Sequence, residues 1–271
     1  MKGYGITAKA SVENKIQAHI EEFQILGYTI IEGVLSESEL DDLRIELDRV
    51  YAIQEAEIGK EFLTKINEEY LARALAAYSD NFINLACHTQ MMEFVRIILG
   101  NYFILHLQNG IINMPSEEHH QSNWHRDLPY QNWVSSEPIG CNLFYCLDEF
   151  SKETGGTILL PFSHKLAFMP SDEFVEKHSV QIEAPAGSVV LFDSMLFHKA
   201  GFNQSGKIRR GINHLYGRAI LRQQIDLPSM MTNREPSDPF QRMVLGFDNK
   251  SPASVSEFRE IRFKKKRKAY E

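Results

Sequence analysis

Two histidines and one aspartate set narrow terms for this chain: His125 and Asp127 in Trp124-His125-Arg126-Asp127, and His198 far downstream in Leu196-Phe197-His198. In an extended backbone successive side chains alternate faces, so His125 and Asp127 project together and Arg126 projects away from them. An imidazole and a carboxylate on one face can share a metal. His198 completes a set of two histidines and one carboxylate, the donor set that leaves positions open on iron(II) in non-heme oxygenases.

Ligands on both sides of the chain's midpoint have to meet, so the 271 residues are expected to form one domain. A hydrophobic share of 43% supports a sizeable core, and a net charge of -7 argues against a surface built for nucleic acid or an anionic membrane. The basic run Lys264-Lys265-Lys266-Arg267-Lys268 reads as a solvated tail. Cys87, Cys141 and Cys146 form no Cys-x-x-Cys pair, which suggests neither a disulfide framework nor a zinc site and fits a reducing compartment. The first residues lack the apolar core of a signal peptide, and no apolar run is long enough to span a bilayer; a cytoplasmic protein without membrane insertion is expected. Oligomeric state is not legible.

The texture changes along the chain. About 14–100 is helical in pattern, about 101–225 is rich in strands, and about 226–271 is an extension. Gly27 to Val34 predicts a short strand entering the core. Ser36 with Glu39 is a capping-box signature, followed by Leu40, Leu43, Leu47 and Val50 at helical spacing. Further helices are predicted over Glu61–Tyr78, over Met91–Leu99 with Gly100 as the stop, and over Val255–Tyr270. Strands are predicted over Tyr102–Asn113, Gly140–Leu147, Gly156–Leu160, Val180–Glu183, Ser188–Phe192 and Gly211–Leu221, with His198 just beyond the fifth. Helices first and strands later exclude an alternating βαβ plan. The expected fold is mainly β with flanking helices, an antiparallel double-sheet jelly roll with helices covering one sheet.

In Ile208-Arg209-Arg210-Gly211-Ile212-Asn213-His214, alternation puts Arg209, Gly211 and Asn213 on one face and Arg210, Ile212 and His214 on the other. One guanidinium therefore turns inward, where it needs an anion that its rigid fork of donors can hold bidentately.

With these residues in place the chain resembles the phytanoyl-CoA dioxygenase family of iron(II)- and 2-oxoglutarate-dependent oxygenases. The resemblance rests on His125-x-Asp127, on His198 in Phe197-His198-Lys199-Ala200-Gly201-x-Asn203, and on Arg209-Arg210. It extends to Gly27-Tyr28, Gly33-Val34-Leu35-Ser36, Glu153-Thr154-Gly155-Gly156-Thr157 and Leu160-Pro161-Phe162-Ser163-His164, covering roughly Phe23 to Leu221. It implies a double-stranded β-helix of the jelly-roll, cupin-like kind, with iron held by His125, Asp127 and His198. It also implies that Arg209, with Arg210 as runner-up, grips the distal carboxylate of 2-oxoglutarate. Dioxygen is then the second cosubstrate, a C–H bond of a small molecule is hydroxylated, and succinate and CO2 leave. A carboxylate at Asp127, where halogenating relatives carry a small residue, favours hydroxylation or a related oxidation.

Around that site, Asn113 is a candidate 2-oxoglutarate contact, and Gln108 is a candidate pocket residue that shares an alternating face with His106 and Gly110. Tyr130, Gln131 and Trp133 follow the metal motif in a loop, where substrate-selecting side chains are common. His119-His120 reads as an exposed loop and His164 as a structural histidine. The competing class is a jelly-roll metal-binding protein or metal-dependent isomerase without oxygenase activity; such a site has no need of an inward arginine. The family name does not by itself assign a coenzyme A ester as substrate.

Overall fold

The computed structural model describes residues 10–116, 120–128 and 133–268. Its strands are β1 (Tyr28–Ile31), β2 (Leu71–Arg73), β3 (Phe103–Asn113), β4 (Gly140–Cys146), β5 (Ile158–Leu159), β6 (Val180–Gln181), β7 (Val189–Asp193), β8 (His198–Lys199) and β9 (Arg209–Arg218). Helices α1 (Lys15–Leu26), α2 (Glu37–Ile58), α3 (Lys60–Lys65), α4 (Asp80–Ala86) and α5 (Thr89–Leu99) precede most of them. Helices α6 (Asp172–His178), α7 (Leu227–Met230), α8 (Pro239–Val244) and α9 (Val255–Lys268) follow.

Every strand pairing is antiparallel. A six-stranded sheet runs β1-β7-β4-β9-β3-β2, and a three-stranded sheet runs β6-β5-β8. Strict alternation gives the larger sheet two apolar faces. Leu143, Tyr145, Val189, Leu191, Ile212 and Tyr216 pack with Leu40, Leu43, Leu47 and Val50 of α2 and with Phe94, Val95 and Ile98 of α5. Their neighbours Phe144, Cys146, Val190 and Phe192 turn the other way, joining Phe150, Leu159 and Ile182 between the sheets. This is the expected jelly roll with helices on one sheet.

Helix α2 starts as the sequence predicts, with Ser36 Oγ accepting from the Glu39 amide and Glu39 accepting from the Ser36 amide. It packs so tightly on β3 that a Cβ on Gly110 would lie 2.1 Å from Leu47 Cδ1. Gly110→Ala is therefore expected to cost about 1–3 kcal/mol through overpacking, read from urea unfolding. An unchanged midpoint would show that α2 yields easily.

The helix predicted over Glu61–Tyr78 is a correction. Only Lys60–Lys65 is helical; Leu71–Arg73 is an edge strand on β3, and Leu75–Ala77 is a 3-10 turn. Asn67, Tyr70 and Ala74 take positive φ values of 54°, 60° and 50°, which break the helix and feed its apolar residues into the sheet edge. Helices α1, α4 and α6 form without having been predicted. Strand β9 starts at Arg209, earlier than predicted, and His198 lies beyond β7, as expected, where it opens the unpredicted β8 of the smaller sheet. Residues 255–268 form the predicted terminal helix, with Val255, Phe258 and Phe263 exposed. Among the described residues no helix is long and apolar enough to cross a membrane.

Candidate active site

His125, Asp127 and His198 converge between the sheets, each offering one donor atom, with these atoms within 4.8 Å of one another. The approach differs from a simple extended segment. His125 forms a single antiparallel bridge with His198, through His125 N–H to His198 O at 2.9 Å and the reverse bond at 3.0 Å, and the flanking residues are not strand. The two-residue spacing still brings His125 and Asp127 together: Asp127 Oδ1 lies 3.7 Å from His125 Nε2 and 3.5 Å from His198 Nε2.

Backbone carbonyls fix both imidazoles. His125 Nδ1 is 2.8 Å from Asn123 O and His198 Nδ1 is 3.0 Å from Leu196 O, so each Nδ1 carries the proton and donates it, leaving Nε2 as a free electron pair in the cavity. His125 Nε2 is buried without a hydrogen-bond partner, an arrangement that suits a nitrogen placed to bind a metal. Asp127 is oriented by amides the sequence reading did not assign: Asn142 Nδ2 at 2.5 Å and Asn213 Nδ2 at 2.9 Å both donate to Oδ2, leaving Oδ1 for the shared point. Burial by itself raises the Asp127 carboxyl, but the His198 and His125 imidazoles and the Asn213 amide outweigh it and hold the group well below the usual carboxylate range. Burial lowers the His125 imidazole, while Asp127 overcomes burial at His198 and raises it. Asn213→Ala is expected to cost about 10–100-fold in metal affinity or activity, the usual effect of losing a partner that orients a ligand. Metal titration showing an unchanged affinity and turnover would refute that role.

His198 is set up by the turn after β7. Asp193, buried, accepts from the Met195 amide at 2.8 Å. Burial pushes its carboxyl up to about 6, against an ordinary 3.8. An acid raised on folding favours the folded state while protonated, so its stabilisation is present below about pH 4 and lost as pH rises through about 6. Asp193→Asn, which keeps the Oδ1 acceptor, should be more stable than the parent at pH 7 and lose most of that advantage by pH 4; equal unfolding midpoints at pH 7 would contradict it.

Arg209 and Arg210 divide as alternation requires. Arg210 points outward, where Nε and Nη2 bind Asp48 of α2 at 2.9 and 2.8 Å and Nη1 reaches Asp148 at 3.4 Å. Arg209 points inward at 1% exposure, its Nη2 donating to Gly155 O at 2.9 Å and its plane over the Phe150 ring at 4.4 Å. Its Nε and Nη1 have no hydrogen-bond partner, and burial pushes the guanidinium down to about 10. The cavity that holds it also holds all three metal-ligand candidates, with Ile111, Phe144, Thr157 and Asn213 in its walls and Gln121, Lys199 and Ala200 also lining it. It is narrow, with about 20 Å³ of free space, so a molecule reaching from the triad to Arg209 has to displace side chains such as the half-buried Gln121 and Lys199.

The other predicted residues separate. Asn113 is buried beside Arg209 in the β3–β9 register, but its Nδ2 donates to Gly201 O at 3.1 Å, leaving Oδ1 without a partner. Gln108 faces the helices instead of the cavity: its amide donates to Phe82 O at 3.0 Å, accepts from Ala76 N–H at 2.6 Å and meets His214 Nε2 at 2.8 Å. The face was misjudged because the register shifts between Leu105 and Leu107, releasing His106 from the alternation that Gln108 shares with Gly110. Trp133 is 49% exposed, whereas Tyr130 and Gln131 lie outside the described residues. His119 and the His120 side chain also lie outside them; His164 is buried against Gly27.

A jelly roll that gathers two histidines and a carboxylate beside a buried arginine with two unused donor nitrogens has the layout of a non-heme metal enzyme with an anionic cosubstrate. The sequence profile of the phytanoyl-CoA dioxygenase family matches residues 23–211, and the chain belongs to that family of iron(II)- and 2-oxoglutarate-dependent oxygenases. It is 35% identical over 210 residues to an uncharacterized protein of Mycobacterium tuberculosis, covering 74% of this chain and 75% of the relative. Among solved structures it resembles EctD from S. alaskensis, crystallised with 2-oxoglutarate and 5-hydroxyectoine, with a TM-score of 0.64 at 20% identity, covering 80% and 82% of the two chains. It also resembles SnoN, an α-ketoglutarate-dependent epimerase from nogalamycin biosynthesis, with a TM-score of 0.59 at 18% identity, covering 75% and 83%. At such identities the likeness establishes the fold.

Proposed function

We propose that this protein is a dioxygenase that hydroxylates a C–H bond of a small-molecule substrate, with iron(II) held by His125, Asp127 and His198 and 2-oxoglutarate gripped by Arg209. The observation that carries this reading is the coexistence, in one cavity, of three converging ligand atoms and a buried guanidinium with two unused donor nitrogens. A site for metal alone has no use for that guanidinium, whose burial costs free energy until an anion pairs with it.

Iron(II) bound there supplies the dioxygen chemistry: one oxygen atom enters the substrate C–H bond as hydroxyl, and the other enters succinate as CO2 leaves. The chain's own residues position and protect. His125 and His198 present Nε2 because their Nδ1 protons are committed to Asn123 and Leu196 carbonyls. Asp127 presents Oδ1 because two asparagine amides occupy Oδ2. Arg209 offers Nε and Nη1 to the distal carboxylate of the cosubstrate, with Gly155 O and the Phe150 ring fixing the fork. Ile111 and Phe144 keep water from that wall, which strengthens the ion pair.

An anaerobic titration with iron(II) and 2-oxoglutarate tests the site without knowledge of the substrate: a weak visible charge-transfer band should need both components. Its absence would sink the reading. Once a substrate is found, 18O2 labelling separates hydroxylation, which adds one labelled oxygen, from epimerisation, which adds none.

A further inference from the structure

A second, larger cavity of about 350 Å³ adjoins the candidate metal site through Asp127 and is lined also by His106, Arg126, Leu128, Leu221, Arg222 and Gln224. Among the described residues Asp127 alone lines both this cavity and the one holding Arg209. A molecule seated here lies against the carboxylate that we assign to the metal, without competing for the cosubstrate's arginine.

The walls carry a chemical signature. His106 is buried at 9% exposure, and its Nδ1 has no hydrogen-bond partner, an arrangement that costs free energy unless a ligand completes it. Its position comes from the register shift in β3, which frees it from the sheet's alternation and sets it on the cavity wall. Arg222 stands exposed, and among the described residues its guanidinium has neither a hydrogen bond nor an ion pair, although Asp226 lies near enough to feel its charge. Arg126 adds a second positive charge, held by its bonds to Ser163 O and Leu166 O and stacked over the Phe197 ring at 3.8 Å. Leu128 and Leu221 supply the apolar part of the lining and belong to one apolar cluster. Asp127 is the one acid in the lining, and a bound cation neutralises it.

From this lining, and resting on the oxygenase reading above, we infer that the primary substrate is a small organic anion. Its carboxylate or phosphate pairs with Arg222, its apolar portion crosses Leu128 and Leu221, and a polar group beside the oxidised C–H meets His106. Ligand pockets usually span about 300–1,000 Å³, so a cavity at the lower limit takes a molecule the size of an amino acid or short-chain acid and cannot enclose a coenzyme A thioester.

The test uses the full chain loaded with zinc(II) in place of iron and with saturating 2-oxoglutarate, which keeps other acids off Arg209. Binding of hexanoate, hexyl phosphate and hexanamide is measured by ligand-observed NMR. An exposed ion pair contributes up to about 1 kcal/mol, so at least one of the two acids should bind about fivefold more tightly than the amide, and Arg222→Gln should erase the difference. Whichever acid binds more tightly identifies the anion. His106→Gln, which keeps a hydrogen-bonding side chain, should hold the probes better than His106→Leu. Equal binding of all three probes, no measurable binding of either acid, or a preference that survives Arg222→Gln would overturn the inference. The iron(II)–2-oxoglutarate band is recorded on the same preparation. Its absence condemns the oxygenase reading itself, whereas a normal band with indifferent probes condemns only the substrate class.

Discussion

His125→Ala and Asp127→Ala are each expected to lower succinate formation by more than a hundredfold, with loss of bound iron. The magnitude follows from comparison: changing a residue that merely orients a ligand costs about 10–100-fold, and these substitutions delete the ligand. Asp127 carries the larger burden because its carboxylate lies near both imidazoles and, among the described residues, is the one negative charge facing them. Deleting it removes the acceptor that the Asn142 and Asn213 amides share and leaves two imidazoles without a counter-charge. Iron content by absorption spectroscopy and succinate by mass spectrometry check the result together. Activity that persists in both variants at near parental levels would remove the triad from the mechanism.

Arg209→Ala should weaken 2-oxoglutarate binding by more than about a hundredfold, since breaking a buried charge pair costs about 3 kcal/mol or more. The same side chain carries a signature that separates a binding role from a structural one. Without an anion, Arg209 is a buried cation whose Nε and Nη1 are unsatisfied, and burial has already pushed it down to about 10. Arg209→Met, which roughly fills its volume, should therefore unfold at higher urea than the parent when 2-oxoglutarate is absent, and at lower urea than the parent when it saturates the parent protein. A variant less stable than the parent in both conditions would mark Arg209 as a structural element of the core.

The convergence of His125 and Asp127 was legible because its geometry is local: a two-residue spacing survives even though the segment is not a strand. The division of Arg209 from Arg210 was legible for the same reason, since β9 is long and regular and alternation holds from Arg209 to Tyr216. Gln108 defeated that logic. The alternation held from Gln108 to Gly110 but broke at His106, and the face depended on α2 closing over Gly110 and on that register shift, both tertiary facts. The stretch after Lys65 looked helical because its apolar spacing fits a helix; three positive-φ residues and the open edge of β3 turned it into a strand instead. Asn142 gave no signal at all, because an asparagine within an apolar strand resembles any other polar interruption until its carboxylate partner arrives from a separate loop. Asn213 gave half a signal, by sharing a face with Arg209.

The bridge between His125 and His198 is one residue pair deep. The segment bearing His125 and Asp127 is thus sewn to a two-residue strand by a pair of backbone bonds, and an ion held as proposed would act as a cross-link between them. Linkage makes that relation reciprocal. Whatever stiffens the segment, including a packing change that never touches the metal, raises iron affinity by the same factor that iron lowers the segment's opening. Metal occupancy and backbone order at this junction are one equilibrium, and selection acting on iron retention can work through residues that make no contact with iron.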